Sequence, residues 1–290
     1  MKRVISCTPL VCILMGLLAC AGRQAAWDAK GEWPEREEVL LDEASLLASE
    51  GDDFWQRRDD KEQVRDALVR WEQAVEIDPQ DYETYVKISQ AYAFLASNHL
   101  KDEPESIEAR EAALRAAEMA MMAVSSEFGE RMMLGAELGE TVEILGRQAV
   151  PAMYWYAVNL DAWLAEQSMF VRMHHGDTAE RLIQRVVAVR EDYLHAAPHR
   201  FLGLRYADKG DLDNAKRHFQ RAVQLAPDLL ENSLLLAEHV AVPLGDLRLF
   251  EAQMERILTA DVDATSDLVL ENERAQARAR ELLAEARDSF

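Results

Sequence analysis

The stretch HRFLGLRYADKGDLDNAKRHFQRAVQLAP, residues 199–227, decides the fold. Leu202, Gly203 and Tyr206 fall on one face of a helix that ends near Gly210. Ala215, Phe219 and Ala222 then recur at helical spacing up to Pro227, which stops the second helix. The two helices read as an antiparallel pair. Gly203 and Ala215 are small where their backbones approach, and Phe219 and Ala222 fill the inner face.

This spacing resembles the tetratricopeptide repeat, with His199 in place of the usual first Trp. Moving outward, Ala67, Trp71, Ala74 and Pro79 repeat the second-helix spacing, with Asp60 and Gln63 placed as an N-cap and its capping-box partner. The helix before them, with Phe54 and Trp55, fits the pattern poorly. A third copy starts at Tyr85, Ile88 and Tyr92, breaks at Asn98 to Pro104, and resumes with an alanine stripe through Ala109, Ala113, Ala117 and Ala120. Leu236, Val240, Leu249 and Ile257 suggest one more degenerate pair. Pro and Gly breaks, Pro198 among them, divide the chain into about twelve helices, and no sustained two-residue alternation predicts a strand. The expectation is an all-α, irregular tetratricopeptide-like array of helical hairpins, an α-solenoid, over residues 35–290.

The N-terminus carries a different message. Lys2 and Arg3 precede a short apolar run that closes on Leu17-Leu18-Ala19-Cys20. The run is too short to remain as a spanning helix, and its end resembles a bacterial lipobox in which Cys20 is acylated and becomes the mature N-terminus. Residues 1–19 then form a lipoprotein signal peptide and residues 20–34 a lipidated tether. Cys7 and Cys12 leave with the signal, so the mature chain has neither a disulfide nor a free thiol. Ala21, with no Asp after the cysteine, leans toward an outer membrane facing the periplasm.

The chain carries 32 basic and 53 acidic residues, a net of −21, which becomes −23 without Lys2 and Arg3. That field repels polyanions and excludes nucleic acid as a partner. It also makes the surface a poor long-range attractor of small carboxylates.

Catalytic patterns are absent: there is no G-x-S-x-G, H-E-x-x-H, P-loop or dinucleotide glycine motif. His174, His175 and Asp177 could supply three metal ligands, but adjacent histidines diverge and Gly176 predicts a solvated turn. His195 and His199 have ligand spacing with Pro198 between them to break the helix. Gly135 and Gly139 read as a close helix contact. No enzyme, cofactor or metal is expected.

The segment from Pro151 to Trp163 is denser in information. Trp155, Asn159 and Trp163 share one helical face, Tyr154 adjoins it, and methionines at 119, 121, 122, 132, 133, 153, 169 and 173 surround it in sequence. Met-rich aromatic surfaces suit a binding groove, and they equally suit a plain core. Tyr154, Trp155, Asn159 and Trp163 are the candidate lining for a ligand or partner.

The lipobox, the irregular helical body, Asp81 to Tyr85 with Ala91-Tyr92-Ala93-Phe94, and above all Pro-Ala-Met-Tyr-Trp-Tyr-Ala-Val-Asn-Leu at 151–160 together resemble the T component of tetratricopeptide-associated TRAP transporters, the TatT family. The resemblance implies a periplasm-facing accessory that partners the substrate-binding P component of a TRAP uptake system. Self-association as a homo-oligomer, a trimer, is a further expectation. The rival reading is a tetratricopeptide scaffold lipoprotein for envelope assembly or secretion.

Overall fold

The computed structural model describes residues 23–29, 38–175 and 177–285. Cys20 and the signal segment lie outside the described residues, as do Gly176 and the side chains of Met173 and His174. Every regular element among the described residues is helical. The chain divides into two compact units, residues 1–136 with 162–174 and residues 137–161 with 175–290.

The first unit is built on two helical hairpins. Helix α1 (Leu41–Trp55) packs on α2 (Lys61–Ile77), and α3 (Tyr82–Phe94) packs on α4 (Glu105–Val124). Helix α5 (Ser126–Met133) follows. The α1–α2 contact places the helix of Phe54 and Trp55, which fits the repeat spacing poorly, as the first helix of a pair. Gly51 of α1 meets Trp71 so closely that an added Cβ would stand 2.4 Å from the indole nitrogen. That indole donates to the Ala48 carbonyl at 3.1 Å and to Asp52 at 3.2 Å, and Trp55 packs between Trp71 and Phe94. The turn here is longer than the one after α10, and this shift in spacing hid the first helix from a fixed-period comparison. Asp60 does cap α2, accepting from the Glu62 amide, but Gln63 accepts from Arg57 instead of closing the capping box.

Helix α3 does not stop at Phe94. It widens into a π turn over Leu95–His99, in which the Leu100 amide reaches back to the Leu95 carbonyl. Asp102 then takes a left-handed conformation and the chain reverses into α4. Ala113, Ala117 and Ala120 have no exposed surface, and buried Ser89 of α3 donates to the Ala113 carbonyl at 2.8 Å. The stripe thus serves close approach of α3 and α4.

Gly135 and Gly139 do not form one packing motif. Gly135 is the left-handed C-cap of α5, while a Cβ on Gly139, at the second position of α6 (Leu138–Thr141), would meet Arg181.

Helix α7 (Val150–Ala165) is followed by α8 (Met169–His175), and the unit boundary falls within α7. In the second unit α9 (Thr178–Arg190) leads into α10 (Tyr193–Asp208), whose interruption lies earlier than the sequence suggests. Leu194, His195 and Ala196 are left-handed, and Pro198 sits in the regular turn that follows. Three consecutive non-glycine residues there store strain, which Arg200 offsets by donating to the Leu194 and His195 carbonyls.

Helices α10 and α11 (Leu212–Leu225) form the hairpin read from the sequence. Leu202, Ala215, Phe219 and Ala222 are buried, Tyr206 is half-buried, and Pro227 lies just beyond the helix end. A Cβ on Gly203 would stand 2.6 Å from the Phe219 ring. Helix α12 (Leu230–Leu236) runs through a second π turn, Ala237–Ala241, into α13 (Val242–Leu244). With α14 (Leu247–Thr259) and α15 (Val269–Glu285) it encloses a core of Leu230, Leu234, Phe250, Met254, Ile257 and Leu282. Asn272 of α15 pins the turn after Pro227, accepting from the Leu230 amide and donating to the Asp228 carbonyl.

Candidate functional site

Pro151 lies in the first turn of α7, and apolar residues surround the helix axis rather than one stripe. Met153 and Ala157 have no exposed surface, and Tyr156, Leu160, Trp163 and Leu164 are each buried. The candidate residues divide between two settings. Trp163 is buried in the first unit, where its indole N–H donates to Glu111 of α4 at 3.2 Å. Nearby, Arg110 pairs with Glu166 at 2.7 Å, so the helix end is fixed to α4 from both sides of the turn.

Tyr154 and Trp155 belong to the second unit and are half-buried. Their rings meet edge to face at 5.5 Å, and Tyr154 meets Tyr193 at 5.4 Å. Burial raises the Tyr154 phenol and pushes Tyr193 up to about 12, so both stay neutral donors near neutral pH. The Trp155 N–H is buried and interacts with the Tyr193 phenol, whose upward shift it opposes. Asn159 is 1% exposed and is not left without a partner. The methionines separate likewise: Met121 and Met153 are fully buried, whereas Met169 is 69% exposed.

A cavity of about 500 Å³ opens in the first unit between the ends of α4 and α5, lined by Met122, Val124, Gly129, Met133, Gln80 and Glu130. Its methionines are among those singled out in the sequence. Their place at the α4–α5 junction was not readable, because the sequence does not show which helix the Met pairs face.

A second polar cluster escaped the sequence reading. His199 is buried, with Nδ1 2.9 Å from Nδ1 of His218 and Nε2 3.2 Å from Glu191. With Glu191 accepting the Nε2 proton, His199 Nδ1 accepts from His218 Nδ1–H, which fixes His199 as a neutral ring, while burial keeps His218 neutral near pH 7. His218 stacks on Tyr206 at 5.4 Å, and Arg221 pairs with Glu191. His199 thus pairs with His218 and not with His195, and position 199, filled by Trp in the usual repeat, holds a ring that bridges the two helices.

His175 and Asp177 lie on either side of Gly176, with the His174 side chain outside the described residues, and no group of three ligating side chains occurs among the described residues.

These observations define an all-α array of helical hairpins whose distinctive feature is a buried aromatic helix. Residues 61–290 match the family described as TRAP transporter T-component, and the chain belongs to that family. The family is a component of a transport system and not an enzyme family. No curated protein sequence matches the chain. No helix among the described residues is long and apolar enough to cross a membrane.

Proposed function

We propose that this protein is a lipid-anchored, periplasm-facing accessory of a TRAP-type uptake system, held through Cys20 at the outer membrane. It engages the extracytoplasmic substrate-binding component, and an apolar ligand carrying one hydrogen-bond acceptor, at the Tyr154–Trp155–Tyr193 cluster. Membership of the T-component family over residues 61–290 carries the reading. The cluster is favoured because the half-buried Tyr154 and Trp155 rings meet each other and Tyr193 edge to face, a rigid aromatic surface suited to an apolar guest.

Trp155→Ala provides the test. Melting of the mature protein and its affinity for the substrate-binding component are measured on the same variant. The expected outcome is at least tenfold weaker binding, with a stability loss below the roughly 3–5 kcal/mol of a fully buried Trp. A collapse of stability, or unchanged affinity in a folded variant, refutes this role for Trp155. Preferential binding of extended peptides would favour the envelope-scaffold reading.

A further inference from the structure

Residues 23–29 fall in the segment that the sequence assigns to a tether, yet they are docked on the first unit. The docking centres on Glu118 of α4, whose side chain is fully buried. Both of its carboxylate oxygens are engaged by this segment: Arg23 pairs with Oε1, and the Ala26 amide donates to Oε2 at 2.7 Å. Arg23 itself is only 7% exposed in this contact. A single turn at Ala26–Asp28 shapes the segment, closed by the Ala25 amide donating to Asp28 at 3.0 Å. Trp27, 8% exposed, then stands edge-on against fully buried Phe128 of α5 with centroids 6.1 Å apart.

Glu118 is out of place in a helix that otherwise buries Ala, Leu and Met. It falls at helical spacing between Leu114 and Met121–Met122, all buried. A carboxylate on that face needs a cation and donors, and segment 23–29 brings both. Burial, with Asp28 adding to it, pushes its carboxyl up to about 7 against the opposing pull of Arg23, the Ala26 amide and Arg115. The contact is therefore specific, with an ion pair, a backbone donor and an aromatic wedge on one short segment.

The position of this contact along the chain matters most. Two residues, Ala21 and Gly22, separate Cys20 from Arg23, and the three residue-to-residue steps at full extension reach about 11 Å. A free tether of fifteen residues, 20–34, would reach about 50 Å. Helix α5 ends in the exposed apolar pair Met133 and Leu134, the latter 87% exposed. Leu134 lies six residues from Phe128, a rise of about 9 Å along the helix. An exposed apolar tip beside a lipid anchor is the arrangement a bilayer interface covers. Glu127 and Glu130 on the same helix favour zwitterionic over anionic headgroups.

We propose that residues 23–29 are a clasp that holds the α4–α5 end of the first unit against the lipid surface, with Leu134 entering the headgroup region. The proposal rests on acylation of Cys20 as read above.

The test uses the mature acylated protein in phosphatidylcholine vesicles carrying a nitroxide-lipid quencher. A fluorophore is attached at Leu134→Cys or, for comparison, at Arg65→Cys on α2, which packs against α1 and α3. Acylated Cys20 leaves each introduced thiol as the only free one. Quenching several-fold stronger at 134 than at 65 is expected. Combining Arg23→Ala with Trp27→Ala should remove most of that difference while leaving the helical circular dichroism intact. Equal quenching at the two positions, or a difference that survives the double substitution, overturns the clasp. A protein that fails to float with the vesicles at all refutes the lipid anchor, and the membrane-facing role falls with it.

Discussion

Gly203→Ala is the sharpest probe of the α10–α11 hairpin, because two opposing effects differ in sign and both can be sized. In an open helix the change would stabilise by about 1 kcal/mol, since glycine is a poor helix former. Here the new methyl would stand 2.6–2.7 Å from three carbons of the Phe219 ring, where ordinary contact begins near 3.4 Å. The ring must retreat by roughly 0.8 Å, yet it has no exposed surface and is backed by Ala215, Leu236 and Val240. Overpacking of this kind costs roughly 1–3 kcal/mol. Set against the propensity gain, the net loss should be about 0–2 kcal/mol. Phe219→Ala alone should cost roughly 3–5 kcal/mol, and in that background the methyl added at position 203 enters vacated space, so Gly203→Ala turns stabilising. The double-mutant cycle should show a coupling of about 1–3 kcal/mol. Because the chain has two units, a single global melt is a poor readout, and native-state hydrogen exchange of the α10 and α11 amides reports the local free energy instead. Increased protection in Gly203→Ala, with no coupling to Phe219, would refute the close approach on which the hairpin rests.

Gly51→Ala should behave in the same way against Trp71 in α1–α2, losing about 0–2 kcal/mol in the exchange of α2 amides despite the gain in helix propensity. Cys20→Ser should abolish acylation and leave an unprocessed or mislocalised precursor; unchanged incorporation of a fatty-acid analogue would rule out the lipobox. Burial, then the neighbouring His199 and Arg217, hold His218 down to about 4, with Glu180 opposing. A histidine depressed from 6.5 contributes stability that is whole above pH 6.5 and is lost as pH falls toward 4. With solvent screening of this half-buried ring, the loss should be roughly 1–2 kcal/mol. Urea titrations at about pH 7.5 and 4.5, on either side of that window, should show this dependence flattened in His218→Asn, and equal slopes would exclude the pair as its source. The difference between the two proteins is the quantity to compare, because Glu118 is shifted upward and acts with the opposite sign.

The sequence alone determined the helical class and the α10–α11 hairpin. Small residues must stand where two backbones approach, and Gly203, Ala215, Phe219 and Ala222 carry that requirement at fixed spacing. The lipobox, the irregular helical body, the helix from Asp81 and above all the block at 151–160 together pointed to the family, which the match over 61–290 establishes. The division of the aromatic helix was not legible. Periodicity places Trp155 and Trp163 on one face, but only tertiary packing gives Trp163 an acceptor at Glu111 and sets Trp155 beside Tyr154 and Tyr193. The α1 helix was obscured because a longer turn alters the spacing between Gly51 and Trp71 while leaving their contact intact. Glu118 did leave a trace, an acid on an apolar stripe, but its partners Arg23 and Ala26 lie more than ninety residues away. Local pattern specifies a helix and its buried face. Which distant group meets that face depends on chain reversals, such as left-handed Asp102 and Leu194–Ala196, that the residue pattern did not announce.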